Sequence, residues 1–320
     1  MEPEISVIIP VKPGENSIPA LESLRKTDYP LTKIEIIMAE GCQPSRQRNM
    51  ALKEAGGEIV YYLDNDSLVE KDLFRKAAVH YENPEIDGAG GPSLTALDDT
   101  FIQKCFGYIF SSYLCASAMR AKFTPVGKAR LSTEKELILC NLSFKTRVMK
   151  ESGGFNEKLY PNEENELVNR LLSRGKKIIY DPEIFIRQSR RKNIFEFIKQ
   201  LFRYGRGRGE HLWVNFRFFK PLFIIPSAFI LYLISLIFFR PWFYIIPVYL
   251  YAFITIIASL LVCAANKDWK ALPVLPFLFL FTHLSYGTGV ITGLASGWAK
   301  QYKMGEVTVR KIKKFSDENF

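Results

Sequence analysis

The sequence predicts an α/β protein built on a doubly wound, parallel-type sheet, followed by helices that cross a membrane. Three observations predict it. The N-terminal part alternates continuous apolar strands with helices, the pattern of right-handed βαβ units. The third of these strands stops abruptly on Asp64-Asn65-Asp66. After Pro221 the composition changes and three long apolar runs follow.

Each element has its own reason. "EISVIIPVK" is a near-continuous apolar run, as expected of a strand covered on both faces. "NSIPALESLRKTDYP" places Ile18, Leu21 and Leu24 at helical spacing. "KIEIIMAEG" reads as a second buried strand, and "SRQRNMALKEAGG" as a second helix ended by Gly56-Gly57. "EIVYYLDND" is the third strand. Ligands gather at the carboxyl ends of such strands. Glu40, Asp64 and Asp66 stand at those ends.

The apolar runs cover 222–239, 242–263 and 272–295, and none contains Asp, Glu, Lys or Arg. Each reaches the roughly 18–20 residues that span a hydrocarbon core. The opening "MEPEISVIIP" has no basic n-region and no apolar h-region with a cleavage site, so the N-terminal α/β part is expected to stay cytoplasmic. The formal net charge of +10 asks for an anionic partner. No basic helix or aromatic sheet of nucleic-acid type is present, so nucleic acid is set aside in favour of a phosphorylated substrate or a membrane surface. Cys42, Cys105, Cys115, Cys140 and Cys263 are scattered and read as buried thiols in a reducing compartment.

Two carboxylates at the mouth of a sheet repel each other unless something positive sits between them. A divalent cation bridged to a diphosphate answers this with hard oxygen ligands. A turn that caps the next helix through Asp66 or Ser67 answers it equally on spacing alone.

Longer motifs extend the reading. "SVIIPVKP", "RQRNMALKEAGGEIVYYLDND", "AGGPS", "GGFNEKLYPNEENELVNRLLSRGKKIIYDPE" and "KQLFRYGRGRG" occur in that order over some 200 residues. In this order the chain resembles the family 2 inverting glycosyltransferases of the GT-A fold. The "HLSYGTGVITG" pattern in the last apolar run resembles membrane-bound members that extend lipid-linked oligosaccharides, including succinoglycan-type glucosyltransferases. The resemblance implies a GT-A domain over 1–215, with a membrane-proximal interfacial segment at 193–219. A transmembrane region over 221–297 and a basic tail over 298–320 follow. It implies a nucleotide-diphospho-sugar donor, Mg or Mn, a polyprenyl-linked acceptor, and a multi-pass protein of the cell membrane.

The resemblance also implies roles. Asp66 holds the metal, with Asp64 on the ribose or a metal-bound water. Glu164, in the place of the family's Asp, is the base that takes the acceptor proton, with Glu163 as its competitor. Pro10, Glu40, Arg48 and Gly91 border the donor. Gln200, Arg203 and Tyr204, the last in place of the family's Trp, act on the diphosphate or the acceptor. Arg206 and Arg208 either help there or bind lipid headgroups. The apolar stretch 106–123 is an interfacial helix or core packing. His283 is a functional intramembrane candidate or a buried hydrogen-bonding group. Direct transfer to polyprenyl phosphate, and a non-catalytic transferase-like scaffold, remain as alternatives. Three full spans would put the basic tail opposite the catalytic domain, against the preference of basic flanks for the cytoplasm. A cytoplasmic tail with one incomplete or re-entrant pair of runs is therefore expected.

Overall fold

The computed structural model describes residues 2–15, 17–159, 163–214, 221–239, 241–296 and 306–312. The end of the expected membrane-proximal segment and most of the basic tail lie outside the described residues. The strands are β1 (Ile5–Val11), β2 (Ile34–Glu40), β3 (Ile59–Leu63), β4 (Leu68–Val69), β5 (Ile86–Gly90), β6 (Ser93–Thr95), β7 (Arg130–Leu131), β8 (Asn141–Lys145), β9 (Lys177–Tyr180), β10 (Ile186–Gln188) and β11 (Thr308–Ile312). The helices are α1 (Pro19–Leu24), α2 (Pro44–Glu54), α3 (Leu73–His80), α4 (Phe101–Ser111), α5 (Tyr113–Ala116), α6 (Thr146–Ser152), α7 (Glu163–Ser173), α8 (Ile194–Val214), α9 (Ile225–Ser235), α10 (Ile246–Asn266) and α11 (Leu275–Ser296).

The chain forms two compact units, 1–98 with 118–189 and 303–320, and 99–117 with 190–302. The expected boundaries are therefore drawn differently by packing. Residues 99–117 and 190–214 go with the apolar helices, and Thr308–Ile312 of the tail joins the sheet.

The first unit is an eight-stranded sheet in the order β11-β2-β1-β3-β8-β5-β9-β7, with a small sheet β4-β10-β6. The three expected strands are present, and β1 pairs in parallel with both β2 and β3. The sheet is mixed rather than parallel throughout, because β8 runs antiparallel to β3 and β5. No crossover helix leads directly into β8, so nothing forces it into the parallel direction. β1 pairs with β3 only as far as Ile8 opposite Tyr62, while its pairing with β2 continues to Val11 opposite Glu40. The carboxyl ends of β1 and β3 thus part at the point where strand order reverses, which is where doubly wound sheets hold ligands.

Alternation along the strands loads both faces. Tyr61 and Tyr62 are consecutive, so the pleat sends them to opposite sides. Both are fully buried. Tyr61 meets Phe74 edge-on at 5.2 Å in one core, and Tyr62 meets Phe155 edge-on at 5.1 Å in the other. α1 is shorter than its apolar spacing suggests, because Pro19 starts the helix and leaves Ile18 outside it as the N-cap.

In the second unit the first apolar run is helical only over the 11 residues of α9. That is about 16 Å of α-helix, roughly half a hydrocarbon core, preceded by a 3₁₀ turn at Pro221–Phe223. Pro226 at its start and the turns after Ser235 limit the helix. Two helices, Trp242–Asn266 and Leu275–Ser296, are long and apolar enough to cross a membrane. α8 and α11 meet backbone to backbone through glycines. A Cβ on Gly205 would lie 2.0 Å from the Tyr286 carbonyl oxygen, and one on Gly289 would lie 2.2 Å from that of Phe202. Gly209 and Gly293 repeat the arrangement one turn on, against Val290 and Arg206. Such small-residue stripes let helices approach closely. The stretch 106–123 is split between α4, α5 and a 3₁₀ turn. Phe106 of α4 stacks on Phe197 of α8 at 4.1 Å, which is core packing. His283 accepts or donates at 2.8 Å to the Tyr251 hydroxyl, the buried hydrogen bond. All five cysteines are free; Cys42 is exposed and Cys115 half-buried, so burial holds for three.

Candidate active site

The site starts from the end of β3. Leu63 is the last strand residue, and the backbone then folds into a four-residue turn. The Asp64 N–H donates to Ser67 Oγ at 3.1 Å, and the Ser67 N–H donates to the Asp64 carbonyl at 3.1 Å. The turn leads into β4, and the next helix begins only at Leu73 with no side-chain cap. Asp66 and Ser67 therefore do not cap a helix, and the capping alternative falls. Asp64 and Asp66 are both half-buried at the sheet mouth.

Each carboxylate has a partner from a distant segment. Arg48 of α2 donates from Nη2 to Asp64 Oδ1 at 2.9 Å and from Nη1 to Glu163 Oε1 at 2.9 Å. Arg48 is 4 % exposed and Glu163 3 %, so this is a buried bridge from the strand end to the start of α7. Gln188, at the end of β10, donates from Nε2 to Asp66 Oδ1 at 2.5 Å. The next residue along α2 explains a second motif. Asn49 donates to the Phe155 carbonyl at 2.9 Å and accepts the Phe155 N–H at 2.8 Å. Gly154 has a φ of +71°, and a Cβ there would lie 2.4 Å from Asn49 Oδ1. The "RN" and "GGF" motifs are thus two halves of one clasp, and only glycine fits at position 154.

α7 opens on three acids that the structure sends to three different cations. Glu163 goes to Arg48. Glu164 lies 3.5 Å from Lys122 Nζ, which also donates to Asn165 Oδ1 at 3.1 Å. Glu166 pairs with Arg170 at 2.8 Å, one turn on. Lys122 is itself buried. Burial pushes the Glu163 carboxyl above the ordinary carboxylate range, against the pull of Arg48. Glu164 is half-buried, stands in the first turn of an 11-residue helix and faces a lysine.

The remaining expected residues fall in different places. Pro10 and Glu40 are at the carboxyl ends of β1 and β2, as expected. Gln47 fills the gap between those ends, donating to the carbonyls of Val11 and Ala39. Gly91 is buried against the chain's own backbone. A Cβ there would lie 2.0 Å from the Ile184 carbonyl oxygen. What requires glycine at 91 is therefore the 181–184 turn. Gln200, Arg203, Tyr204 and Arg206 all lie on α8, in the second unit. Gln200 donates to the Tyr204 hydroxyl at 2.8 Å, Arg203 is exposed, and Arg206 pairs with Glu210 at 3.3 Å. Gln188, Lys122 and the buried role of Glu163 were not singled out by sequence reasoning. Gln188 stands in "RQSRRK", which reads as a solvated charge run.

Asp64 and Asp66 suit a hard divalent cation. Among the described residues no third His, Cys, Asp or Glu joins them, so the rest of the coordination would come from diphosphate oxygens and water. The residues fit such an ion.

Comparison with known proteins bears on the family and the fold. A family model described as glycosyl transferase family group 2 matches residues 59–260. The chain belongs to this family. Along its length it is 23 % identical to a dolichyl N-acetyl-alpha-D-glucosaminyl phosphate 3-beta-D-2,3-diacetamido-2,3-dideoxy-beta-D-glucuronosyltransferase of Methanococcus voltae, over 92 % of this chain and 98 % of that protein. A shorter match, 27 % identical over 113 residues, is to the poly(ribitol-phosphate) beta-N-acetylglucosaminyltransferase TarS of Staphylococcus aureus; it covers 26 % of this chain and 20 % of TarS. Among solved structures, a mannosyltransferase of Pyrobaculum calidifontis in complex with GDP-Man and Mn2+ superposes with a TM-score of 0.58 at 16 % identity. The match covers 94 % of this chain and 89 % of that one, and speaks to the fold alone. This family 2 member is a glycosyltransferase with a mixed α/β, GT-A-like fold.

Proposed function

We propose that the chain is a metal-dependent, inverting transferase that moves a sugar from a nucleoside-diphosphate donor to a polyprenyl-linked acceptor at the cytoplasmic face of a membrane. The observation that carries this reading is the Asp64-x-Asp66 turn at the point where β1 and β3 diverge, tied through Arg48 to the start of α7. The acceptor class is supported by the Methanococcus voltae relative, whose name gives a dolichyl-phosphate-linked substrate. Two helices able to cross a membrane support the location.

The chain's residues divide the work. Asp66 and Asp64 hold the metal of the donor, Mg or Mn. When bound, it supplies electrophilic stabilisation of the departing diphosphate. Glu164 takes the proton of the attacking hydroxyl, and Lys122 beside it holds the carboxylate in place. Arg48 holds Asp64 and Glu163 in fixed positions, so that the donor side and the acceptor side keep one geometry. Gln188 orients Asp66. Pro10 and Glu40 border the donor, Gly91 lets the 181–184 turn pack behind it, and Gln200, Arg203, Tyr204 and Arg206 serve the diphosphate or the acceptor. A single displacement inverts the anomeric centre.

The test is a panel of nucleotide sugars incubated with the purified protein in detergent, with and without Mn, read by nucleotide release and by transfer to a short polyprenyl-diphosphate-sugar. Metal-dependent release from one donor, with a product of opposite anomeric configuration, is expected. No release from any donor, or full release in excess chelator, would count against the proposal.

A further inference from the structure

The last described segment is part of the basic tail, yet it behaves as a core element. β11 pairs antiparallel with β2 over five residues, from Thr308 opposite Glu40 to Ile312 opposite Ile36. Directly opposed residues of an antiparallel pair share a face of the sheet. Thr308 therefore stands on the face of Glu40, and Val309 on that of Ala39. Val307 and Val309 pack against the buried cluster that contains Ile37 and Ala39.

Both ends of the strand are held. At its entry, a Cβ on Gly41 would lie 3.2 Å from the Glu306 carbonyl oxygen and 3.3 Å from Val307 Cγ2, so chain and loop are in contact. At its far end, Lys311 Nζ lies 2.8 Å from Glu35 Oε2 and donates to the Glu54 carbonyl at 2.5 Å. Glu35 in turn accepts from Ser6 Oγ and from the Gly56 N–H. Burial alone would raise the Glu35 carboxyl, but the hydrogen bonds from Lys311, Ser6 and Gly56 hold it below its ordinary value.

The direction of β11 matters. Running antiparallel, it begins beside the carboxyl end of β2, on the rim where a doubly wound sheet holds its ligand. Without it, β2 would be an open edge there. The groups gathered at that rim are Glu40, Glu306 and Thr308, all exposed, with Cys42 next to them. They are acids and a hydroxyl, all able to accept hydrogen bonds from ribose hydroxyls and base N–H groups, and the two acids repel phosphate.

We propose that β11 forms the outer wall of the donor's nucleoside subsite, with Thr308 beside Glu40 as its contact to the nucleoside and Lys311 as the anchor that keeps the strand in register. This rests on the transferase reading above. It assigns part of donor recognition to chain that follows the last apolar helix. The wall touches the nucleoside and leaves the diphosphate to Asp64 and Asp66.

The experiment uses the full chain in detergent and calorimetry with Mn, and its probes are UDP, GDP and inorganic pyrophosphate. Thr308→Val keeps the β-branched shape at an exposed position and removes only the hydroxyl. Lys311→Ala releases the anchor, and its melting temperature reports whether the fold is retained. Both variants are expected to bind the preferred nucleoside diphosphate about 3- to 20-fold more weakly, while pyrophosphate binding stays unchanged. Unchanged nucleotide affinity in Thr308→Val and in a folded Lys311→Ala overturns the proposal, and so does an equal loss for pyrophosphate. A parent protein that binds neither UDP nor GDP sinks the transferase reading itself, whereas a parent that binds and variants that bind equally sink only the role of β11.

Discussion

The two Asp residues at the end of β3 and the two Glu residues at the start of α7 are both acidic pairs, but they are treated in opposite ways. Asp64 and Asp66 are separated by one residue and alike in exposure, and each accepts from a side chain of a distant segment. Glu163 and Glu164 are adjacent and unlike. One is buried on Arg48, and the other is half-buried beside Lys122. A turn can aim two carboxylates at one ligand, whereas a helix turns consecutive side chains about 100° apart and so separates their tasks. The strand end is built to share, and the helix start to divide.

The largest effect expected from breaking this contrast is at the shared pair. Asp66→Ala should abolish transfer and metal-dependent donor binding together. Residual turnover that survives in excess chelator would remove the strand end from the chemistry. At the divided pair, Glu164→Gln should lower transfer by about 10²- to 10⁴-fold, the usual worth of a positioned base, with donor affinity unchanged by calorimetry. Glu163→Gln should do much less to transfer. If the two variants trade places, the acceptor proton goes to the buried glutamate.

The bridge between the pairs gives the next effect, on stability rather than rate. Arg48→Met leaves Glu163 buried without its cation, and breaking a buried pair in this way costs about 3–5 kcal/mol. Adding Glu163→Gln to that variant should recover part of the loss in a denaturant titration. Additive effects in this double-mutant cycle would mean that the two side chains are energetically independent. The smallest effect sets the far end of β11 against both pairs. Glu35 has a lowered carboxyl, so its contribution to stability is present above the ordinary value of about 4.5 and is lost as pH falls through its folded-state value below that. Lys311→Ala should lower the melting temperature most at neutral pH, where the ion pair is formed, and converge on the parent in acid, so that this acid limb flattens. An identical acid limb in both proteins would separate Lys311 from Glu35.

Much of this could be read from the residues alone. Continuous apolar runs announced β1, β2 and β3, and the break at Asp64 located the mouth of the sheet. "GGF" and "RN" were visible as motifs, but their clasp joins residues more than a hundred positions apart, and no local pattern announces such a pairing. The same holds for Arg48 with Glu163 and for Gln188 with Asp66. β8 was missed because a central antiparallel strand interrupts the βαβ rhythm. β11 did carry a signal that charge concealed. In "EVTVRKI" Val307 and Val309 alternate with Thr308 and Arg310, which is strand spacing. The surrounding lysines made the segment read as a solvated tail.

The glycine contact between α8 and α11 has a mechanical consequence. With backbone against backbone at Gly205, Gly209, Gly289 and Gly293, neither helix can roll on the other without driving a side chain into the seam. The two act like a key in a slot. Gln200, Arg203 and Tyr204 are therefore indexed to α11, and their direction is set by a count of residues as much as by their identity. Inserting one alanine between Tyr204 and Gly205 would turn those side chains by about 100° relative to the seam. The spacing from Gln200 to Gly209 is thus as constrained as the residues it separates.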